Sequence, residues 1–233
     1  MTSSLSDRDQ VLLRYVARFR QLSAAHIRTL VFHASPNDTP SNRTLKRLTE
    51  YNYLMRVERR LVGGTKGGSG QYVYQLGSKG HFLFFAERPN FRRTVDFHAL
   101  GIADAYCLIA NLQRQGRLSV IGLATEPDCW TRIAGVELKP DLRIDLSDTD
   151  LYWIEVDMAT EGQKQLKGKL EAYCRAWDGA DVNQWPQWPT VLWVAVDQAR
   201  ANEIAWLVKQ MPKTAQPMFK VATLEGLAAV LCG

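Results

Sequence analysis

The sequence lacks the residue spacings of common metal-binding and disulfide-linked folds. Its four cysteines are widely scattered and form no CxxC pair, which argues against a zinc ribbon and a disulfide framework. Its four histidines include no HxH or HExxH spacing, which excludes zincins and the paired-histidine type of DNA-nicking enzyme. The cysteines are therefore expected to be buried, reduced thiols.

Long apolar runs are also missing. No stretch approaches the roughly 18 uninterrupted apolar residues of a membrane span, and the polar start MTSSLSDRDQ lacks the apolar core of a secretion signal. A cytoplasmic protein without a membrane partner is expected. The 233 residues, 46% of them hydrophobic, suffice for two modest domains.

Charge is distributed unevenly along the chain. Residues 1–95 contain 16 lysines and arginines against six acidic residues, whereas residues 96–233 contain 13 against 18. Such asymmetry indicates a basic domain that meets a polyanion and an acidic domain with another task. A basic domain that is merely well solvated is the alternative.

The basic half shows three amphipathic segments. SDRDQVLLRYVARFR predicts a helix capped by Ser6, with Asp9 three residues further on, and SAAHIRTLVF predicts a second helix after Ser23. TPSNRTLKRLTEYNYL predicts a third, with Thr39 as cap and Pro40 at the first helical position. The residues of this third helix expected to face the core are Leu45, Leu48 and Tyr51.

The third helix is predicted to present a polar and basic face. A hairpin follows it, with Lys66 at the tip of its glycine-rich loop. Helices and hairpin, residues 6–80, resemble the winged helix-turn-helix, which implies double-stranded DNA as the partner. Arginine and asparagine suit base edges and lysine suits phosphates. A protein-interaction module is the alternative. The outward residues are Ser41, Asn42, Arg43, Lys46 and Arg47.

The predicted organisation is a DNA-binding domain (1–80), a linker (81–96) and an α/β domain (97–233). Arg92 and Arg93 would let the linker add phosphate contacts, although an extended connector would look similar. From residue 97 the hydrophobic pattern predicts the order α-β-β-β-α-β-α-β. This order resembles the core of the PD-(D/E)XK superfamily, the restriction-endonuclease-like fold, within an overall α/β (α+β) class.

Acidic residues stand on two predicted neighbouring strands. Strand alternation puts Asp141 on the face opposite Leu142, and Glu155 shares a face with Asp157. In ordinary register Asp141 and Glu155 converge, and their hard oxygens suit Mg²⁺ as the cofactor of phosphodiester cleavage. Glu126, in the loop-like TEPD, is a weaker additional candidate.

The superfamily pattern has a lysine two residues after the acid, where this chain has Asp157. The resemblance implies that the following helix can supply the missing group from Lys164, Lys167 or Lys169, and Lys169 with Tyr173 resembles the QxxxY element of RecB-type nucleases. The predicted catalytic residues are Asp141, Glu155, Asp157 and Lys169. The alternatives are a degenerate nuclease fold kept for homodimerisation or DNA positioning, and a different α/β fold with solvated acids.

The whole chain resembles the replication-relaxation family of plasmids, phages and integrative elements. The resemblance is carried by the N-terminal helices and hairpin, His98 in DFHALGIADAYCLI, Pro140-Asp141, EVDMAT and KLEAY. It implies a DNA-associated role in replication or transfer. His98 is either functional or, more ordinarily, a capping or packing residue. The tryptophans of NQWPQWPTVLW, expected to cap the core rather than stack on a partner, are Trp185, Trp188 and Trp193.

Overall fold

The computed structural model describes residues 5–60, 71–147 and 149–233. They form a mixed α/β protein, as predicted, that divides into two compact units, residues 1–107 and 108–233. The elements of the first unit are α1 (Asp7–Phe19), β1 (Leu22–Ser23), α2 (Ala24–Val31), α3 (Thr39–Glu50), β2 (Leu54–Arg60), β3 (Gln71–Leu76), α4 (Ser78–His81) and the start of α5 (Phe97–Arg114).

Side-chain caps define the first two helices, as the sequence predicts. The Ser6 hydroxyl accepts a hydrogen bond from the Asp9 amide, and the Asp9 carboxylate accepts one from the Ser6 amide. Ser23 caps α2 in the same way. The prediction for α3 was wrong by one residue: Asp38 is the cap and Pro40 is the second helical residue.

The first unit contains a three-stranded sheet in the order β1-β3-β2. Strands β2 and β3 form the predicted antiparallel hairpin, and Lys66 at its predicted tip lies outside the described residues. Strand β1 was not predicted, because two residues are too few to show an alternating pattern. Tyr51, expected in the core, is 43% exposed because α3 ends at Glu50 and leaves the helical register.

Two buried glutamines tie the segment before α5 to the first unit. The Gln75 side chain donates to the Arg92 carbonyl (2.8 Å) and accepts from the Arg92 amide (3.2 Å). Gln21 donates to the Thr94 carbonyl (3.1 Å) and accepts from the Asp96 amide (2.8 Å). Each side-chain amide thus takes the part of a neighbouring peptide group and fixes the backbone of this segment.

The second unit is built on a five-stranded sheet in the order β10-β9-β8-β7-β4. The pairs β4–β7 and β7–β8 are antiparallel, whereas β8–β9 and β9–β10 are parallel. Its elements are β4 (Gly122–Thr125), β5 (Thr131–Ile133), β6 (Val136–Leu138), β7 (Leu142–Asp145), β8 (Leu151–Asp157), α6 (Gln163–Asp178), β9 (Thr190–Ala195), α7 (Gln198–Val208), a 3₁₀ turn (Gln216–Met218), β10 (Phe219–Thr223) and α8 (Leu224–Cys232).

The predicted order of elements is present, with one added hairpin formed by β5 and β6. The segment ELKPDLRIDL, predicted as one strand, is divided between β6 and β7 around Lys139 and Pro140. Proline has no amide hydrogen and cannot donate to a ladder, which accounts for the break. The Asp141 amide nevertheless donates to the Ile154 carbonyl (2.9 Å), so the β7–β8 ladder extends one residue beyond β7.

Helices α6 and α7 cover one face of the sheet. Their apolar residues pack with the inward side chains of β8 and β9 in one core. Trp185 and Trp188 make edge contacts with buried Trp153, and Trp193 is buried in the same core, so these rings cap the core as expected. The core residues of the two helices include Leu166, Leu170, Tyr173, Cys174, Ala201, Ile204 and Leu207.

Three of the four free cysteines, Cys107, Cys129 and Cys174, are buried as predicted, whereas Cys232 is exposed. No helix within the described ranges has both the length and the apolar character needed to cross a membrane.

Candidate functional site

The β7–β8 register brings two acids together. Leu142 pairs with Ile154, so Asp141 and Glu155 occupy opposing positions of the extended antiparallel ladder. Both side chains are buried, as is Asp157 two residues further on. The convergence of Asp141 and Glu155 expected from strand parity is therefore present, and burial rules out the simple picture of acids solvated along an open edge.

Backbone and side-chain donors fix the orientation of the two carboxylates. Asp141 Oδ2 accepts a hydrogen bond from the Val156 amide at 2.6 Å. Glu155 Oε1 accepts one from the Tyr173 hydroxyl at 2.6 Å, and Glu155 Oε2 lies 3.3 Å from Lys169 Nζ. Helix α6 thus supplies both partners of Glu155 from residues four apart, which lie on one helical face.

The environment of Glu155 disfavours its charge. Burial and the neighbouring Asp141 raise the pKa of Glu155 to about 7, although Lys169 and Tyr173 act in the opposite direction. Protonation of Glu155 is therefore more favourable in the folded chain than that of an exposed glutamate. An added positive charge beside Asp141 and Glu155 would therefore be electrostatically favourable.

Lys169 is the helix α6 lysine that reaches the acids. Its ammonium lies 3.0 Å from Glu161 Oε1 as well as 3.3 Å from Glu155 Oε2, and 5.9 Å from the ring centroid of Trp193. Burial alone would lower the pKa of Lys169, but Glu155 and Glu161 outweigh burial and raise this pKa above its usual value. Its side chain remains partly exposed, whereas that of Glu155 is buried.

The other two lysines of this helix do not contact the acids. Lys167 is exposed and lies 3.9 Å from Glu171 on the helix surface. Lys164 is exposed in the first turn of α6. Of the three lysines of α6, Lys169 is therefore the one that contacts the buried acids.

Asp157, two residues after Glu155 on β8, binds an arginine. Arg200 Nε lies 2.7 Å from Asp157 Oδ1, and Arg200 Nη2 lies 3.1 Å from Asp157 Oδ2. Arg200 Nη2 also donates to the Glu161 carbonyl at 2.6 Å. Arg200 was not predicted from the sequence, because it belongs to no recognisable motif. It lies on α7, 43 residues after Asp157.

A divalent cation is compatible with part of this arrangement. Two adjacent carboxylates are the number that Mg²⁺ commonly takes from a protein when phosphates and water complete its shell. No cluster of three or more histidine, cysteine, aspartate or glutamate side chains suited to a metal occurs within the described ranges. Asp141 and Glu155 therefore fit a cation shared with a substrate and do not form a complete protein cage.

The remaining candidates have defined places in the chain. Glu126 follows β4, and its amide donates to the Asp141 carbonyl at 3.0 Å, so its backbone adjoins the site. His98 is the second residue of α5 and is partly buried. Functional roles for Glu126 and His98 stay predictions.

Helix α3 exposes only part of its predicted face. Asn42 and Arg43 are exposed, and Lys46 is 74% exposed with its ammonium 3.8 Å from Glu50. The outward placement of Ser41 was wrong, because its buried hydroxyl donates to the Asp38 carbonyl in the first turn.

Arg47 is only partly exposed, and it binds buried Asp9 with a 2.6 Å contact that joins α3 to α1. Burial would raise the pKa of Asp9, but the hydrogen bonds from Arg47 and Ser6 outweigh burial and lower it. The charge of Arg47 is thus engaged within the fold, and the outward positive charges of α3 are those of Arg43 and Lys46.

Comparison with known proteins gives one family assignment. The sequence model described as replication-relaxation matches residues 13–187, which is more than half of the chain. Neither the curated proteins nor the solved structures include a significant match. The matched range contains α3, both strand acids and helix α6. The chain belongs to the replication-relaxation family, and this membership suggests a role in the replication or relaxation of a plasmid or other mobile element.

Proposed function

We propose that this protein acts on the DNA of a mobile genetic element. Its first unit is a winged helix that binds duplex DNA through α3, and its second unit carries a restriction-endonuclease-like centre for Mg²⁺-dependent phosphodiester cleavage. The observation that carries the proposal is the placement of Lys169 Nζ 3.3 Å from Glu155, with Asp141 on the opposing strand. An acid pair that could hold a metal, with an ammonium beside it that could offset phosphate charge, suits metal-assisted phosphodiester cleavage.

Three exposed residues of α3 support the DNA-binding part. Arg43 and Lys46 carry unburied positive charges, and Asn42 offers an amide that can pair with adenine in the major groove. Arginine suits guanine or phosphate, and lysine suits phosphate. The excess of basic residues in the first 95 residues favours a polyanionic partner of this kind.

The site residues of the second unit have separate roles in the proposed reaction. Asp141 and Glu155 would hold Mg²⁺, which supplies Lewis acidity toward the phosphate and an activated water. Lys169 would offset negative charge that develops on the phosphate, since its ammonium lies beside Glu155 and its side chain is partly exposed. Tyr173 keeps Glu155 Oε1 in place through its 2.6 Å hydrogen bond.

Asp157 and Arg200 act through other residues in this proposal. Both oxygens of Asp157 are bound by Arg200, so Asp157 is a positioning residue and not a proton carrier. Arg200 in turn binds the backbone of Glu161, whose carboxylate holds Lys169. The buried Asp157–Arg200 ion pair therefore fixes the backbone at Glu161, and the Glu161 carboxylate in turn positions the Lys169 ammonium.

A non-catalytic role is the second candidate. Both Glu155 oxygens and both Asp157 oxygens already have partners within the chain, an arrangement that also suits a static scaffold. Here the protein is a DNA-binding regulator or an accessory to initiation, and the second unit serves homodimer formation. In both candidates α3 binds DNA. They differ in the second unit, which cleaves DNA in the first candidate and forms a homodimer in the second.

One experiment separates the two candidates. Supercoiled plasmid carrying the element's own origin is incubated with wild type, Asp141→Asn and Glu155→Gln in Mg²⁺ or Mn²⁺, and DNA binding is measured on the same samples. The matched control is Asp145→Asn. Asp145 lies at the far end of β7 from Asp141 and pairs with Arg143 at 2.9 Å, so this variant also removes a carboxylate charge but not one of the two proposed metal-binding acids. Nicking or cleavage that is lost in the first two variants and kept in the control supports the enzyme. Binding without metal-dependent cleavage by wild type overturns the enzyme and favours the scaffold.

A further inference from the structure

Three arginines line one open groove on the first unit. The groove has a volume of about 510 Å³ and is formed by β2 and the segment before α5. Its described lining residues include no acid. These residues are Met55, Arg56, Val57, Phe91, Arg92 and Arg93.

Buried side chains hold the two walls of this groove together. Gln75 lies opposite Met55 in the β2–β3 ladder, and the same Gln75 exchanges two hydrogen bonds with the backbone of Arg92. Gln21 makes the equivalent pair of bonds to the backbone of Thr94 and Asp96. The backbone that carries Arg92 and Arg93 is therefore fixed relative to the strand that carries Arg56.

The guanidinium groups are partly organised before any ligand binds. The Arg56 guanidinium carbon lies 4.4 Å from the ring centroid of Tyr72, a cation–π arrangement that restricts its rotamers. Arg92 pairs with Asp96 at 2.9 Å, and Arg92 and Arg93 are exposed. Even after the Arg92–Asp96 pair is counted, the groove has an excess of positive charge.

We propose that this groove binds backbone phosphates of duplex DNA, in addition to the contacts of α3. The inference rests on the proposed DNA binding of the first unit. Guanidinium groups match phosphate oxygens with paired N–H donors, and the apolar side chains of Met55, Val57 and Phe91 offer no hydrogen bonds for reading bases. In this proposal the three arginines contact phosphates and not base edges, so the groove adds affinity that does not depend on base sequence.

The test uses the full chain and two short duplexes, one from the element's own origin and one of scrambled sequence. The variant is Arg56→Gln/Arg93→Gln, which leaves the Arg92–Asp96 pair intact. The control is Arg114→Gln/Arg117→Gln, which removes two exposed charges from α5 and the residues after it. Affinity is measured by fluorescence anisotropy between about 50 and 200 mM salt.

The logarithm of the association constant falls linearly with the logarithm of the salt concentration, and loss of two phosphate contacts makes this slope less negative by about 1.8. At about 0.1 M salt that change corresponds to roughly 60-fold weaker binding. We expect this loss on both duplexes and little change in the control. If the groove variant loses no more affinity than the control, or loses affinity only for the origin duplex, the proposed phosphate binding by the groove is wrong, while the proposed role of α3 stands. No duplex binding by wild type overturns both.

Discussion

Tyr173 donates a 2.6 Å hydrogen bond to Glu155, and this bond joins helix α6 to the central strand β8 at the buried acid pair. Glu155 carries a pKa raised to about 7, chiefly by burial and by Asp141. The same bond therefore stabilises a carboxylate that its surroundings disfavour. Removing the hydroxyl would leave Glu155 Oε1 without this donor in a buried site.

The raised pKa of Glu155 predicts a pH dependence of stability. The folded chain holds a proton on Glu155 up to about pH 7, whereas in the unfolded chain this group ionises near the ordinary glutamate pKa of 4.5. Folded molecules bind more protons between these values, so this contribution is full below pH 4.5 and is lost as pH rises to 7. Glu155→Gln removes the contribution, which amounts to about 3 kcal/mol. Urea unfolding of both proteins across this range tests it, and identical slopes against pH would contradict the prediction.

The Asp157–Arg200 pair predicts a large cost for removing one partner. Arg200→Met leaves a buried carboxylate without its bidentate cation and should destabilise the fold by about 3–5 kcal/mol. Adding Asp157→Asn to this variant should recover much of the loss. The control is Arg143→Met, which breaks a partly exposed pair worth less than about 1 kcal/mol. Urea unfolding measures all four proteins, and equal effects of the two arginine changes would refute the role assigned to burial.

Two of the three lysines of helix α6, Lys167 and Lys169, are expected to respond differently to the same substitution. Lys169→Met removes the ammonium from Glu155 and Glu161, and it should abolish metal-dependent DNA cleavage and raise the pKa of Glu155 further. Lys167→Met, two residues away, disrupts only an exposed 3.9 Å contact and should leave cleavage unchanged. Cleavage assays and a pH titration of stability measure the two effects. Equal activity of both variants would remove Lys169 from the proposed centre.

Substitutions of the exposed basic residues of α3 and of Arg47, which pairs with buried Asp9, are expected to have separate effects on DNA binding and on stability. Arg43→Gln/Lys46→Gln should weaken duplex binding in a salt-dependent way and leave the free energy of unfolding within about 0.5 kcal/mol of wild type. Arg47→Gln should chiefly lower stability, because it removes the partner of buried Asp9. Anisotropy and urea unfolding distinguish the two. Unchanged DNA affinity of the double variant would show that α3 does not bind the duplex.

Much of this architecture could be predicted from local pattern alone. Periodicity gave the order of helices and strands, and strand parity predicted that Asp141 would meet Glu155, because both properties depend on neighbours in sequence. The Arg200–Asp157 pair could not be predicted, since it depends on how α7 packs on the sheet. Ser41 was misplaced because a polar residue in a first helical turn can satisfy the backbone and point inward.

The bidentate contact between Asp157 and Arg200 bears on how this family could vary. A lysine introduced alone at position 157 would set two cations against each other in a buried site, so Asp157→Lys by itself is expected to destabilise the fold. The two positions must change together, with an uncharged or acidic residue replacing Arg200. We expect relatives with lysine at the equivalent of Asp157 to lack an arginine at the equivalent of Arg200, which makes this pair of columns an indicator of which version of the centre a given relative has.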